Sequence, residues 1–343
     1  MSKITIHDIA KKLNTSASTV SRALNNNSSI STQMKKRVSE TAKSLGYERN
    51  VLASNLRKGK SNIIGVIVPF ADRGIFSSVI RSLEEKVTEA GLNIMISQSH
   101  DDFETEVRCV ETLQMAQVSA IVLSHCKGDN NKDHLNKVLD NSTPLILFDR
   151  PVEGINSYSV TIDDYTGAYQ AVSHLINMGY SKIAHFIVNE KTPIYQARYK
   201  GYLDAMLNHN LEIDENLVIE VDTKVDAGEQ AIKQLMDLDS KPDAIFSSSD
   251  YSALGAMNYL TSLGTRIPED FGIVGFSNES FTKYVSPSLS TIDQNGQLMG
   301  EKVADFILAE QEGLKFTENE KNKVLLKPEL QIRNSSLRKK QIN

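Results

Sequence analysis

The sequence predicts an α/β protein: a small three-helix helix-turn-helix headpiece, then a larger body made of two parallel-sheet α/β units. Three observations carry this expectation. Thr5 to Asn26 reads as two short amphipathic helices around a three-residue break. Residues 1–60 hold 12 Lys and Arg against 3 Asp and Glu, net +9, whereas residues 61–343 hold 26 against 40, net −14. From Ile63 onward, short apolar β-rich runs alternate with helical ones, the pattern of parallel sheets covered by helices. Two such units in tandem predict a bilobed body.

In chain order, Ile6, Ile9, Ala10 and Leu13 recur at helical spacing behind Thr5, which is placed as an N-cap. Asn14, Thr15 and Ser16 break the run. A second helix follows, with Ala17, Val20, Ala23 and Leu24 facing one way and Ser18, Ser21 and Arg22 the other. This layout suits a helix that enters the major groove of double-stranded DNA. The spacing alone fits an ordinary helical hairpin with solvated hydroxyls equally well; the basic charge of the head favours nucleic acid. After the polar loop Asn25–Ser31, either Ser31 or Thr32 can cap a third helix, Gln33–Leu45, with Gly46 just past its end. Arg49 to Lys60 is short, basic and poor in apolar residues, as a flexible linker would also be.

Candidate strands in the body are Ile63–Pro69, Asn93–Gln98, Ala120–His125, Pro144–Asp149, Ser159–Asp163, Lys182–Val188, Leu217–Val221, Ala244–Ser248 and Gly272–Phe276. Helices fit between most of them, among them Phe76–Ala90, Phe103–Ala116, Thr166–Met178 and Ala253–Leu263. Ligands of open α/β sheets bind beyond the C-terminal strand ends. Asp72, Arg73, Ser124, Asp149, Arg150, Asp163, Asp250, Ser277 and Gln294 stand at such ends. Two lobes facing across them make a cleft suited to a hydroxyl-rich ligand, with Asp accepting and Arg donating. Asp163 and Asp250 also stand where each could simply cap the next helix.

Several classes are disfavoured. No run of about eighteen apolar residues occurs, so no membrane partner is expected. Met1–Leu13 lacks the apolar core of a signal peptide, and Cys109 and Cys126 give no disulfide framework; a cytoplasmic protein is expected. The histidines show no metal-ligand spacing and no phosphate loop occurs, so no metal and no cofactor are expected. Gly275-Phe276-Ser277-Asn278-Glu279 begins like a nucleophile elbow, but Glu279 replaces its second glycine and no His follows Ser277. An enzyme is not expected. A homodimer is, because one small helix-turn-helix makes few contacts whereas a two-fold pair reads two half-sites. The tail from Arg333 has no leucine heptads, so no tetramerising coiled coil is expected.

The run I-T-I-H-D-I-A-K-K-L-N-T-S-A-S-T-V-S-R-A-L-N resembles the headpiece of the LacI/GalR family of bacterial transcription regulators. The likeness continues through Gly46–Tyr47, Ala53–Arg57, Ile63–Pro69, P-L-I-L-F-D-R, R-Y-K-G-Y, S-D-Y-S-A-L-G-A-M, I-P-E-D-F-G-I-V-G-F and P-S-L-S-T-I-D-Q, in family order. It implies a headpiece over 1–48, a hinge over 49–60, and a periplasmic-binding-protein-like core over 61–343. The first lobe is placed at 61–161 and 293–318 and the second at 162–292 and 319–335. Crossovers between the lobes are placed near Thr161–Asp163, near Ile292–Gln294 and after Glu318.

By resemblance, Ala17, Ser18 and Arg22 read the major groove, and Thr5, Ser16, Thr19, Ser21, Asn25 and Ser31 meet phosphates. Ala53 and Leu56 enter the minor groove, although Arg49 stands where many relatives carry Pro. The implied effector contacts are Phe76, Ser124, Asp149, Arg198, Asp250, Ser277 and Gln294. Sugar-responsive relatives carry Asp after G-F, where this chain has Ser277, and many carry Asn where it has Ser249. The expected function is a repressor controlled by a small-molecule effector, a sugar or sugar derivative. A core that answers to a partner protein and a transport-type solute-binding protein are the alternatives.

Overall fold

The computed structural model describes residues 4–24, 26–47, 61–127, 131–188, 192–314 and 322–338. The expectations for Asn25, Ala53, Leu56 and the whole hinge therefore lie outside the described residues. The chain divides into two compact units, Met1–Lys60 and Ser61–Asn343.

In the first unit, α1 (Ile6–Leu13), α2 (Ala17–Leu24) and α3 (Thr32–Leu45) enclose a core of Ile9, Ala10, Val20, Ala23, Val38 and Ala42. Asp8 accepts from both the backbone N–H and the hydroxyl of Thr5, 2.8 and 2.7 Å away, which fixes the start of α1. Asn14 ends it in the left-handed region, φ 52°. Ser31 caps α3 through Met34 N–H, and Gly46 closes it at φ 66°. The caps explain why three such short helices hold their places: each satisfies backbone groups that the helix ends leave over.

The second unit contains two six-stranded sheets. The first combines β1 (Ile63–Val68), β2 (Asn93–Gln98), β3 (Ala120–Leu123), β4 (Leu145–Phe148), β5 (Tyr158–Ile162) and, much later, β11 (Lys323–Leu326), in the order β11-β5-β4-β3-β1-β2, all parallel. The second combines β6 (Ile183–Ile187), β7 (Val218–Glu220), β8 (Ala244–Ser247), β9 (Gly272–Phe276), β10 (Ser290–Asp293) and β12 (Glu329–Gln331), in the order β12-β10-β9-β8-β6-β7. Only β12 is antiparallel, to β10. Each sheet thus repeats one doubly wound order, with its reversal between β1 and β3 and between β6 and β8.

Helices cover both faces of each sheet, which is why the inner strands read as unbroken apolar runs. In the first lobe these are α4 (Gly74–Glu89), α5 (Phe103–Met115), α6 (Asp133–Asp140) and, after β10, α11 (Gly296–Gln311). In the second they are α7 (Asp164–Asn177), α8 (Pro193–Asn208), α9 (Val225–Met236) and α10 (Asp250–Ser262). Gly255 lets α9 and α10 touch through backbone, since a Cβ there would fall 1.8 Å from the carbonyl oxygen of Val225.

The chain passes between lobes after β5, after β10 and at Lys327–Pro328. The last crossing corrects the expected boundary. Lys323–Leu326 pairs in parallel with β5 and buries Leu326 in the first lobe's core, so this strand does not belong to the second lobe. The strands β10, β11 and β12 were not among the candidates. They span three or four residues each, and S-T-I-D and E-L-Q are too polar to stand out as apolar runs.

Candidate functional site

Both sheets turn their C-terminal strand ends toward one cleft. First-lobe residues on its walls include Phe70, Arg73, Phe76, Asp101, Lys127, Asp149 and Arg150; second-lobe residues include Tyr195, Arg198, Ser248, Tyr251, Ser277 and Glu279, with Gln294 at the crossing between them. Three of these residues have backbone angles that L-residues rarely adopt: Asp101 at φ 57°, Asp149 at φ 61° and Ser277 at φ 121°. Such conformations are held only where surrounding structure enforces them, and they gather at functional sites.

Of the seven residues expected to meet an effector, the fold brings Phe76, Asp149, Arg198, Ser277 and Gln294 to the cleft. Asp149 accepts from Ser124 Oγ and from Gln294 Nε2, each at 3.3 Å. Arg198 is buried beneath Phe276, with its guanidinium carbon 3.6 Å from the ring centroid. Its Nε donates to Asp164 at 2.8 Å and its Nη1 to the Ser248 carbonyl at 2.9 Å. The arginine is therefore anchored before any ligand arrives.

Ser124 and Asp250 do not line the cleft, contrary to expectation. Ser124 is fully buried behind Asp149. Asp250 is fully buried too, and both its oxygens are taken, one by Thr291 Oγ1 at 2.7 Å and one by the backbone N–H of Glu279 at 2.8 Å. Gly275 makes room for it, since a Cβ there would stand 2.1 Å from Asp250 Oδ1. Asp250 thus holds the loop Ser277–Glu279 in place. Burial, the largest influence, pushes its carboxyl up to about 7, against those two hydrogen bonds. Asp163 caps α7 through Thr166.

The cleft also contains Glu279, Tyr251, Asp101 and Lys127, which sequence reasoning passed over as cleft residues, beside Arg73 and Arg150, which it placed at strand ends. Glu279 reaches across from the second lobe, and both its oxygens accept from Gly74 N–H, at 3.1 and 2.9 Å. Arg73 stacks on Tyr251 at 3.8 Å and donates to the Thr223 carbonyl at 3.1 Å. The start of α4 is thereby gripped by the opposite lobe. Asp101 pairs with Arg150 and, at 3.2 Å, with Lys127. Their position after a strand is the one signal that pointed to them.

Behind the first-lobe wall, Glu106 on α5 is fully buried. It accepts from His125 Nδ1 at 2.7 Å, His134 Nε2 at 2.9 Å and the backbone N–H of Cys126 at 2.7 Å. Burial raises its pKa, but these hydrogen bonds outweigh burial and hold the carboxyl at about 2. The histidines lack metal spacing in the sequence, yet the fold gathers two of them with Glu106 and Cys126, in hydrogen-bond geometry.

In the first unit, Ser18 and Arg22 are exposed one helical turn apart on α2, while Ala17 is half-buried against the core. Ser16 caps α2: its Oγ accepts from Thr19 N–H at 3.1 Å and lies 2.8 Å from Ser18 Oγ and 2.9 Å from Thr19 Oγ1. Thr5 and Ser31 start α1 and α3, and Ser21 is half-buried.

Residues 5–50 match the model of bacterial regulatory proteins of the lacI family, and residues 172–336 match a periplasmic binding protein-like domain. Catabolite control protein A of Priestia megaterium is 31% identical over 293 residues, 85% of this chain and 87% of that protein. The chain belongs to the LacI family. It is accordingly a DNA-binding transcription regulator, and its curated relatives are regulators rather than enzymes. A lac repressor dimer bound to operator and an anti-inducer shares its fold, with a TM-score of 0.85 at 23% identity over 98% of this chain and 100% of that one. A LacI family regulator from Enterococcus faecium with bound ribose has a TM-score of 0.70 at 25% identity, covering 81% of this chain and 100% of that one. No helix among the described residues is long and apolar enough to cross a membrane.

Proposed function

We propose that this LacI family member is a homodimeric repressor whose operator affinity is set by a small carbohydrate held between the lobes of its core. The observation that carries this reading is the cleft itself. Two sheets present their strand ends to it, Asp149 with its unusual backbone lies on one side and anchored Arg198 on the other, and aromatic rings line it. Carboxylates, a guanidinium fork and ring faces are the groups that hold a sugar. The ribose-bound relative supports the ligand class.

At the DNA, Arg22 donates to a guanine, Ser18 bonds to a neighbouring base and Ala17 packs on a thymine methyl. Thr5, Ser16, Thr19, Ser21, Asn25 and Ser31 meet phosphates and set the register. Leu56, beside Ala53, wedges into the minor groove and bends the duplex. The dimer is supported by the edge strand β2, where Met95 is 38% and Ile96 45% exposed. Apolar side chains on an uncovered sheet edge suit burial against a second copy.

Operator selection followed by titration tests the reading. Arg22→Ala is expected to weaken the selected site by roughly 1–3 kcal/mol and relax preference at one symmetric base pair. Unchanged affinity and preference would rule out this docking. Ligand must in turn change operator affinity by the factor by which operator changes ligand affinity.

A further inference from the structure

The cleft's polar groups divide unevenly between those already engaged and those left over. Its acceptors are engaged: Asp149 by Ser124 and Gln294, Glu279 by Gly74, and Asp101 by Arg150 and Lys127 together. Its donors are in surplus. Arg150 lines the cleft but is only 7% exposed, and its buried Nε has no hydrogen-bond partner; an Asp149 carboxylate oxygen lies 3.6 Å away. The guanidinium is held rigidly by Asp101 and by the His125 carbonyl at 3.0 Å, so it cannot turn to find an acceptor. Ser248 Oγ, 2% exposed in the opposite wall, is likewise without a partner. A buried donor without an acceptor is costly, and a charged one more so.

A neutral sugar brings hydroxyl donors as well as acceptors, and its donors would have to share carboxylates that already accept hydrogen bonds within the protein. An oxyanion brings acceptor lone pairs and no donor, and it meets arginine in fork geometry. Four cations line the cleft, Arg73, Lys127, Arg150 and Arg198, against three carboxylates. Building on the effector reading above, we propose that the ligand is a monosaccharide-sized sugar carrying an oxyanion, a carboxylate or a phosphate, seated on Arg150 and Lys127. The aromatic walls take the ring, and Ser248 closes the polar contacts from the second lobe.

Calorimetric titration of the full chain tests this with glucose, galactose and mannose, each as the free hexose, the uronate and the hexose phosphate. At least one anionic member is expected to bind, and its free hexose to bind at least tenfold more weakly, since a charge-assisted fork is worth roughly that factor. Uronate against phosphate then tells which oxyanion is meant. Lys127→Gln, a milder change than any at Arg150, should weaken the anionic ligand roughly tenfold and steeply reduce the salt dependence of binding. A free hexose that binds as tightly as its anionic forms overturns the proposal, as does a panel in which nothing binds, or Lys127→Gln binding at parental strength. If an anionic sugar binds but leaves operator affinity unchanged, the oxyanion site stands and the effector reading fails.

Discussion

The two lobes share one strand order, yet they keep their buried acids in opposite states. In the first, Glu106 is held at about 2; in the second, Asp250 is pushed up to about 7. Burial raises both. The donors decide the difference: Glu106 receives two imidazole nitrogens and a backbone N–H, whereas Asp250 receives one hydroxyl and one backbone N–H, with the Glu279 carboxylate close by. The acids stand at different places in the shared order, Glu106 on the helix after β2 and Asp250 at the start of the helix after β8, and the donors around each set its charge. The lobes differ on the cleft surface too. The first lobe brings most of the charged groups, and the second brings the hydroxyls together with anchored Arg198 and Glu279.

The largest effect is expected where the second lobe does bury a full ion pair. Arg198→Ala leaves Asp164, 5% exposed, without its cation. Removing one partner of such a pair costs about 3–5 kcal/mol. Urea unfolding of the variant should show this, and Asp164→Asn added to it should restore much of the loss. Loss below about 1 kcal/mol would mean that the pair does not anchor the cleft. Arg198 is therefore a poor position for separating ligand contact from folding.

Glu106→Gln tests the first lobe. A folded value of about 2 against an ordinary 4.5 is a contribution of roughly 3 kcal/mol by linkage. Because the folded value is the lower one, this contribution is complete above pH 4.5 and is lost as pH falls toward 2. The parent should thus lose stability across that window, and the Gln variant should start lower and run flatter. Parallel pH profiles for the two proteins would show that His125, His134 and Cys126 N–H do not hold Glu106 ionised.

The sequence made the fold more legible than the site. Long inner strands such as Ile63–Val68 and Gly272–Phe276 announced themselves because both faces are covered, while β11 and β12 are short edge strands whose pairing is set by partners far along the chain. Asp149 closes a candidate strand, whereas Gln294 follows β10, which was not a candidate, and its place among the effector contacts rested on the resemblance; both line the cleft. Asp250 was misassigned because the contacts that occupy it, from Thr291 and Glu279, are long-range ones no local pattern announces. Arg150 was visible beside Asp149, but the absence of an acceptor for its Nε is a property of the packed wall. Glu106, His125 and His134 come from three separate segments, and only the fold of the first lobe unites them.

Asp250→Asn gives the smallest effect and the sharpest comparison. With a folded value near 7 against an ordinary 3.8, the acid's contribution is fully present below 3.8 and is lost as pH rises through 7. Its sign is opposite to that of Glu106. Asparagine reproduces the neutral acid: its carbonyl can accept from Glu279 N–H, and its amide can donate to Thr291 Oγ1, which already accepts from Asn278 N–H at 3.1 Å. Between pH 5 and 8 the parent should lose about 2.7 kcal/mol that the variant keeps, because the variant has no proton to lose. At pH 8 the variant should equal or exceed the parent in Tm, and its advantage should shrink as pH falls, closing only below about 3.8. A variant destabilised equally at both pH values would show that Asp250 is ionised in the folded lobe. The two lobes would then hold their acids alike, and donor number would not be what separates them.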